Sequence, residues 1–388
     1  MQITPRQALL QCAHVFQQSL FPALESEIGP MSAPLRLLAS VMQLVPLGPA
    51  LIARRASTGR PPRDRAALVT AFFAKSIFNL PTTRQLIDRL YADAQLRRLC
   101  GWNHIRALPH ESKFSRAFAL FAESELPQQL HAAMIKTTQG DRLVGHIARD
   151  STAIEARERV PEAVMEQKRQ SKVRKPRRKK GSHTRAKAAD RGTRIERQRH
   201  QKLDAMLAGL PRQCDIGAKK NSRGHDQYWR GYKFHLDVAD GQIPISALLT
   251  SASVHDSQAA IPLMTMTSQR VQYLYDLMDS AYDADEIHQH SRQLKHVPII
   301  AVHSRRGTKK PSKLPKVFPP KPAPELTWAQ QDRYKERTMI ERVNARLKDE
   351  FGASHIRVRG PVKVMAHLMF GVVALAVDQW LRLAGNQT

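Results

Sequence analysis

Three acidic residues stand where phosphodiester chemistry could be carried out. Asp150 closes an apolar run in His146-Ile-Ala-Arg-Asp-Ser-Thr152, and Asp279 closes another in Leu277-Met-Asp-Ser-Ala-Tyr-Asp283. An acid at the end of one apolar strand is ordinarily a turn former or a helix cap. Two of them in a strongly basic chain point to a metal site, because Mg²⁺ prefers carboxylate oxygens together with substrate phosphates. The third acid, Glu341, lies in a long helical stretch with Tyr334, Arg337 and Lys348. At roughly 100° per residue these four share a stripe about 60° wide. Glu336 and Glu350 fall on the opposite side, so Glu341 is the acid that accompanies two cations and a phenol. Two metal ions held by shared carboxylates can drive an in-line displacement at phosphorus.

The charge balance says what such a site would act on. The 388 residues carry 62 Lys or Arg against 34 Asp or Glu, a formal net charge of +28. That excess implies a polyanionic partner, nucleic acid first. It is unevenly spread. Lys168 to Lys202 holds 16 Lys or Arg against Asp190 and Glu196, or +14, half of the total. The densest part includes Lys175, Arg177, Arg178, Lys179 and Lys180, a phosphate-neutralising pattern. A second basic stretch, His303 to Lys321, is rich in Pro, has no acid and contains Arg305 and Arg306. Trp229 and Arg230 could stack on a base or hold a phosphate, although an aromatic at a strand start is more often core.

Other readings are excluded or demoted. The cysteines, Cys12, Cys100 and Cys214, are scattered and give neither a disulfide framework nor a zinc spacing. No signal or membrane anchor is expected, so the chain reads as cytoplasmic. Asp276 falls inside a strand, while Asp256 and Asp283 suit helix caps. Glu155 and Glu158 lie in a loop past Asp150. His288, His290 and His296 lack a zinc spacing and read as surface groups.

The elements that would position these residues are α/β. Roughly the first 140 residues read as helical. Thr82-Thr-Arg-Gln85 opens a helix that Gly101 ends, and a second helix follows Pro109; the pair could form a helix-turn-helix-like DNA-binding unit. After that come strands at Leu143–Ile147, Tyr232–Val238, Ile243–Leu249, Val271–Met278 and Val297–Val302. Asp240-Gly241 makes a hairpin of the second and third. Helices are expected from Asp256, over Ala284–Leu294, over Trp328–Phe351 and over Val362–Leu383. This order implies a mixed sheet covered on both faces.

At this point the residues resemble a known family. Asp150, Asp279 and Glu341, with Tyr334, Arg337 and Lys348 spaced as Tyr-x2-Arg-x3-Glu-x6-Lys, resemble the DDE triad and YREK signature of bacterial insertion-sequence transposases. Tyr228-Trp-Arg-Gly-Tyr-Lys233, Thr250-Ser-Ala-Ser-Val-His-Asp256 and Asp279-Ser-Ala-Tyr-Asp283 are similar to segments of that family, although Ala281 stands where Gly is usual. The resemblance implies a ribonuclease-H-like catalytic fold with an all-helical N-terminal domain. The expected division is 1–140 (helical, DNA-binding), 141–351 (catalytic, with a basic insertion at about 153–229) and 352–388 (a C-terminal helix). It further implies two Mg²⁺ (or Mn²⁺) ions on the triad and cleavage at terminal inverted repeats. Strand transfer into target DNA and a homodimer that synapses two DNA ends complete the expectation. A nuclease of the same fold without strand transfer, and a non-catalytic DNA-binding protein, are the alternatives.

Overall fold

Local sequence decides where the first helices start and stop. In the computed structural model, which describes residues 15–47, 65–140, 142–173, 192–220, 224–301 and 326–385, every regular element before residue 140 is helical. These are a π-helical turn, Phe16–Leu20, then α1 (Phe21–Ile28), α2 (Ala33–Leu44), α3 (Arg65–Ile77), α4 (Thr83–Ala92), α5 (Ala94–Leu99), a 3₁₀ turn at Ile105–Ala107, α6 (Glu111–Glu123) and α7 (Leu126–Gln139). Thr82 and Gln85 cap the start of α4 reciprocally. The single helix expected from Thr82 to Gly101 is two. Asp93 turns its carboxylate onto the Leu96 amide and starts α5 anew, a local bond that competes with helix continuation. Gly101, at φ +97°, then ends α5 as anticipated.

Beyond residue 142 the chain builds one six-stranded mixed sheet: β1 (Leu143–Glu155), β2 (Asp215–Lys220), β3 (Asp226–Ala239), β4 (Ile243–Ser251), β5 (Gln272–Met278) and β6 (Val297–Ile300). Its strands run in the order β4-β3-β1-β5-β6, with β2 on the first part of β3. The β4-β3-β1 pairings are antiparallel and the β1-β5-β6 pairings parallel. This is the ribonuclease-H-like arrangement expected. The β3–β4 hairpin turns at Asp240-Gly241, and the Asp240 carboxylate reaches back to the Gly145 and His146 amides at 2.8 and 2.9 Å. Gly231 is required where β3 passes β1: its φ is +150°, and a Cβ there would come within 2.1 Å of the Ile154 carbonyl oxygen.

Three details differ from the sequence reading. β1 does not stop at Asp150 but continues to Glu155, because β3 goes on pairing with it after β5 has left. β2 was not anticipated. β3 begins at Asp226 rather than Tyr232, so Trp229 and Arg230 lie within a strand. Between β1 and β2 stand α8 (Glu162–Val173), α9 (Arg194–Gln198) and α10 (Leu203–Ala208). Lys175, Arg177, Arg178, Lys179, Lys180, Arg305 and Arg306 lie outside the described residues.

Helices cover both faces of the sheet, as its alternation of strands and helices predicts. One face packs on α11 (Ser257–Ser268) and α12 (Asp285–Gln293) through Ile261, Met264, Met278 and Ile287. The other packs on a long segment and on α15 (Pro361–Gly385) through Phe234, Leu236, Ile340 and Val343. The long segment was expected as one helix. It is α13 (Trp328–Tyr334), a 3₁₀ turn at Lys335–Arg337 and α14 (Thr338–Asp349). By length and composition α15 could cross a membrane, but most of it is buried inside the protein. It packs against β4 and against α2, α3, α6 and α7. Phe370 places its ring 5.0 Å from that of Phe73 and 5.8 Å from that of Phe72.

Candidate active site

The site begins with strand register. Parallel pairing of β1 with β5 ends at Arg149 opposite Met278. The next residue on each strand is Asp150 and Asp279. Neighbouring strands lie roughly 4.8 Å apart, so the sheet delivers two carboxylates side by side where its central strands part. Asp150 lies opposite Leu236, whose side chain packs in the core that α14 covers, so both point to the same face. Its Oδ1 accepts the Ser151 amide at 2.7 Å. Burial pushes the Asp150 carboxyl from 3.8 up to about 7. The Ser151 bond and Arg337 oppose that rise, while Asp279 and Asp256 add to it. Asp279 caps the 3₁₀ turn Ser280–Tyr282 by accepting the Ala281 amide at 2.9 Å. Burial raises its carboxyl as well.

The third acid arrives on the helix. Glu341 sits in the first turn of α14, half exposed, and accepts a 2.6 Å bond from Arg337 Nη2. Arg337, on the 3₁₀ turn, also lies over the Tyr334 ring at 5.7 Å. Burial works to lower its guanidinium, but its neighbours Tyr334, Glu341 and Asp150 hold it above its ordinary value. Arg337 is therefore the cation that faces both the strand acids and the helix acid. Lys348 lies two turns further along α14, partly buried, and its electrostatic neighbours are Lys219, Glu155 and Asp349. The structure thus sets Arg337 between the strand acids Asp150 and Asp279 and the helix pair Tyr334 and Glu341, and sets Lys348 towards the β2 end of the sheet.

Trp229 is buried, with its indole covering Gly217 and its Nε1 donating to the Tyr232 carbonyl at 3.0 Å. Arg230, next to it, is exposed. His290 and His296, expected at the surface, are buried against the sheet because α12 is drawn onto it. Glu158 is committed to the Tyr232 hydroxyl and the Gly360 amide.

Sequence reasoning set aside one residue that belongs here. Asp256 occupies a helix-cap position but makes no capping bond. Its Oδ1 instead accepts Ser151 Oγ at 2.8 Å and Lys233 Nζ at 2.9 Å. Burial works to raise this carboxyl, yet His235 and Lys233 pull it below its usual value. Asp256 thereby anchors Ser151, the residue that follows Asp150, and ties it to Lys233 of β3. The only sequence signal was the segment Thr250–Asp256 itself.

Among the described residues, no three His, Cys, Asp or Glu side chains converge closely enough to hold a metal ion. The donor chemistry nonetheless fits a hard divalent cation at the strand acids. Asp150 and Asp279 supply adjacent, largely buried carboxylates at the ends of neighbouring strands, and such ions take oxygen ligands. Glu341 is turned to Arg337.

A mixed sheet in this order, with an acid on each of its two central strands beneath a helix bearing Glu and Arg, defines the ribonuclease-H-like class. The Transposase DDE domain model matches residues 145–377, and the Transposase domain (DUF772) model matches residues 23–120. The first match takes in well over half of the chain, which belongs to the DDE transposase family and is a DNA transposase. Comparison with curated proteins and with solved structures finds no match to the chain.

Proposed function

We propose that the chain is a bacterial insertion-sequence transposase of the YREK type, which cleaves DNA at terminal inverted repeats and joins the freed ends to target DNA. The observation that carries this reading is the register that ends at Arg149 and Met278 and so sets Asp150 beside Asp279, with Arg337 as the cation near both. Asp150, Asp279 and Glu341 would hold two Mg²⁺ or Mn²⁺ ions. When bound, these ions supply the charge that activates water and stabilises an in-line displacement at phosphorus.

The chain's own residues position and neutralise. Arg337 would exchange Glu341 for the phosphate next to the cleaved bond, as a two-pronged donor. Tyr334 supports its guanidinium from below. Lys348 and Arg230 would line the path of the DNA backbone away from the acids. The basic runs around Lys175–Lys180 and Arg305–Arg306 would grip DNA without sequence preference. Residues 1–140 would read the repeats, 141–351 cleave, and 352–388 bind the two together. A homodimer would synapse two DNA ends, in the bacterial cytoplasm.

The test is direct. Purified protein with Mg²⁺ and DNA carrying the element's terminal repeats should nick at the repeat ends and join those ends to a second plasmid. Asp150→Ala, Asp279→Ala and Glu341→Ala should each abolish both steps while DNA binding persists. Unchanged nicking in all three variants would overturn the assignment, and nicking without joining would reduce the protein to a nuclease.

A further inference from the structure

β2 turns the start of β3 into a two-stranded ribbon that runs out past the rest of the sheet. β1 joins β3 from Gly231 onward, and β4 joins it from Tyr232. Residues 226–230 of β3 therefore pair with β2 alone among the described residues, from Asp226 opposite Lys220 to Arg230 opposite Ile216. Cross-strand partners and alternate residues share a face. The rear face is closed at its foot. Trp229 lies across Gly217, where any side chain would collide with its ring, and its Nε1 donates to the Tyr232 carbonyl. The front face is open. It carries Ile216, Ala218, Tyr228 and Arg230, all exposed, with Tyr228 at 68%.

Charge and composition together say what this face meets. From Lys219 to Arg230 the sequence holds four cations, Lys219, Lys220, Arg223 and Arg230, against Asp226, so the partner is anionic. Lys219 is also the charged neighbour that bears most on Lys348 of α14. The ribbon thus prolongs the row of cations that begins with Arg337 near the acids. A surface for phosphates alone would present only cations. Here Ile216, Ala218 and Tyr228 form an apolar strip, the kind of surface that meets thymine methyl groups in the major groove, and that groove admits a two-stranded ribbon. The reach agrees. Glu155, paired with Gly231 at the foot of the ribbon, lies five residues beyond Asp150 along β1. At roughly 3.4 Å per residue that is about 17 Å, or about five base pairs of duplex.

We propose that the β2–β3 ribbon is a sequence-reading element seated in the major groove of the DNA, about six to eight base pairs from the cleaved bond. Ile216, Ala218 and Tyr228 lie on the base edges, and Lys219 and Arg230 hold the flanking phosphates. This rests on the reading that Asp150 and Asp279 mark the cleavage point at a terminal repeat, and adds a second reader to the N-terminal helices.

Cross-linking tests the seating. 5-Bromodeoxyuridine carries bromine where thymine carries its major-groove methyl, and ultraviolet light joins it to an adjacent tyrosine. Repeat-end duplexes with single substitutions, irradiated with the full chain and read by mass spectrometry, should link to Tyr228 from positions about six to eight base pairs from the cleaved bond. In binding measurements, Tyr228→Ala and Ile216→Ser should each cut the preference for repeat over unrelated duplex about fivefold or more, with the salt slope kept. The unfolding midpoint of Tyr228→Ala should not move. Arg230→Gln should instead weaken both duplexes alike and lower the slope by about 0.9. No link to Tyr228 from any position, or full preference for the repeat in both variants, would overturn the proposal and leave the cleavage reading intact. Loss of self-association in Tyr228→Ala, with its DNA preference unchanged, would make the ribbon a contact between copies and overturn it as well. If the cleavage reading alone fails, Tyr228 still links to DNA, but at positions unrelated to any nicked bond.

Discussion

Asp150 holds its negative charge in a place that resists it, and this should be measurable without metal or DNA. Burial lifts its carboxyl from 3.8 to about 7. A group whose pKa is raised on folding adds stability that is complete below its unfolded value and disappears as pH climbs through its folded value. The Asp150 contribution is therefore lost between about pH 4 and 7. The buried histidines His131, His235 and His367 act in the opposite sense. Burial holds them neutral, with pKa values of about 3, 4 and 3, so their contribution is lost as pH falls below their unfolded value. The raw pH profile mixes both effects, and a variant isolates one of them. Asp150→Asn keeps the acceptor for the Ser151 amide and removes the charge. Relative to wild type it should gain about 2–3 kcal/mol between pH 5 and pH 8, measured by urea unfolding of the metal-free protein. An equal pH response in the two proteins would show that Asp150 is not strained by its charge. Asp150 and Asp279 were legible as acids closing apolar runs. Asp256 was not, because its setting is made by folding: Ser151 and Asp256 meet across 105 residues.

The strands that carry these acids are locked by a buried ionic network that the sequence concealed. Arg149, adjacent to Asp150, points to the other face of the sheet, fully buried. It bonds Asp237 on β3 at 2.6 Å and Asp276 on β5 at 3.2 Å. Thr267 of α11 donates to Asp237, and Tyr273 and Ser291 donate to Asp276, so the network also fastens α11 and α12. Burial opposes the Arg149 charge, but Asp237 and Asp276 outweigh it and hold its pKa above the ordinary value. Removing the cation would leave two carboxylates buried without compensation. Arg149→Met should cost about 3–5 kcal/mol, and adding Asp237→Asn and Asp276→Asn should restore part of the loss. A chemical-denaturation difference under about 1 kcal/mol for Arg149→Met would refute the clamp. Elements with a clear period were readable from sequence, and those without one were not. β2, Asp215–Lys220, is short and offers only Ile216 and Ala218 as apolar residues, and the second half of β1 reads as polar. The stripe from Tyr334 to Glu341 was real, but it spans a 3₁₀ turn that an ideal helical wheel cannot show.

For the whole molecule, α15 is the part that joins the N-terminal helices to the sheet. Phe370 packs among Phe72, Phe73 and Phe118, with 1% exposed. Phe370→Ala should cost about 3–5 kcal/mol. It should lower one cooperative unfolding transition, read by circular dichroism and tryptophan fluorescence together; separate transitions would mean that the helices and sheet fold independently. The net charge of +28 makes the complementary prediction about DNA. Its densest stretch, Lys172–Lys180, has seven Lys or Arg among nine residues, and no acid there to offset them. Each phosphate neutralised releases counterions, and binding then falls with salt at a slope of roughly 0.9 per contact on duplex DNA. Replacing those seven cations with Gln should weaken binding to any duplex by a similar factor, whatever its sequence. It should also flatten the log–log salt slope by several units, up to about 6 if all seven touch phosphates. Discrimination between terminal-repeat and unrelated DNA should survive, because phosphate contacts position without carrying sequence information. Fluorescence anisotropy across a salt series with both duplexes measures all three quantities. A variant that loses preference for the repeats, with its salt slope intact, would assign this stretch to base reading instead of electrostatic grip.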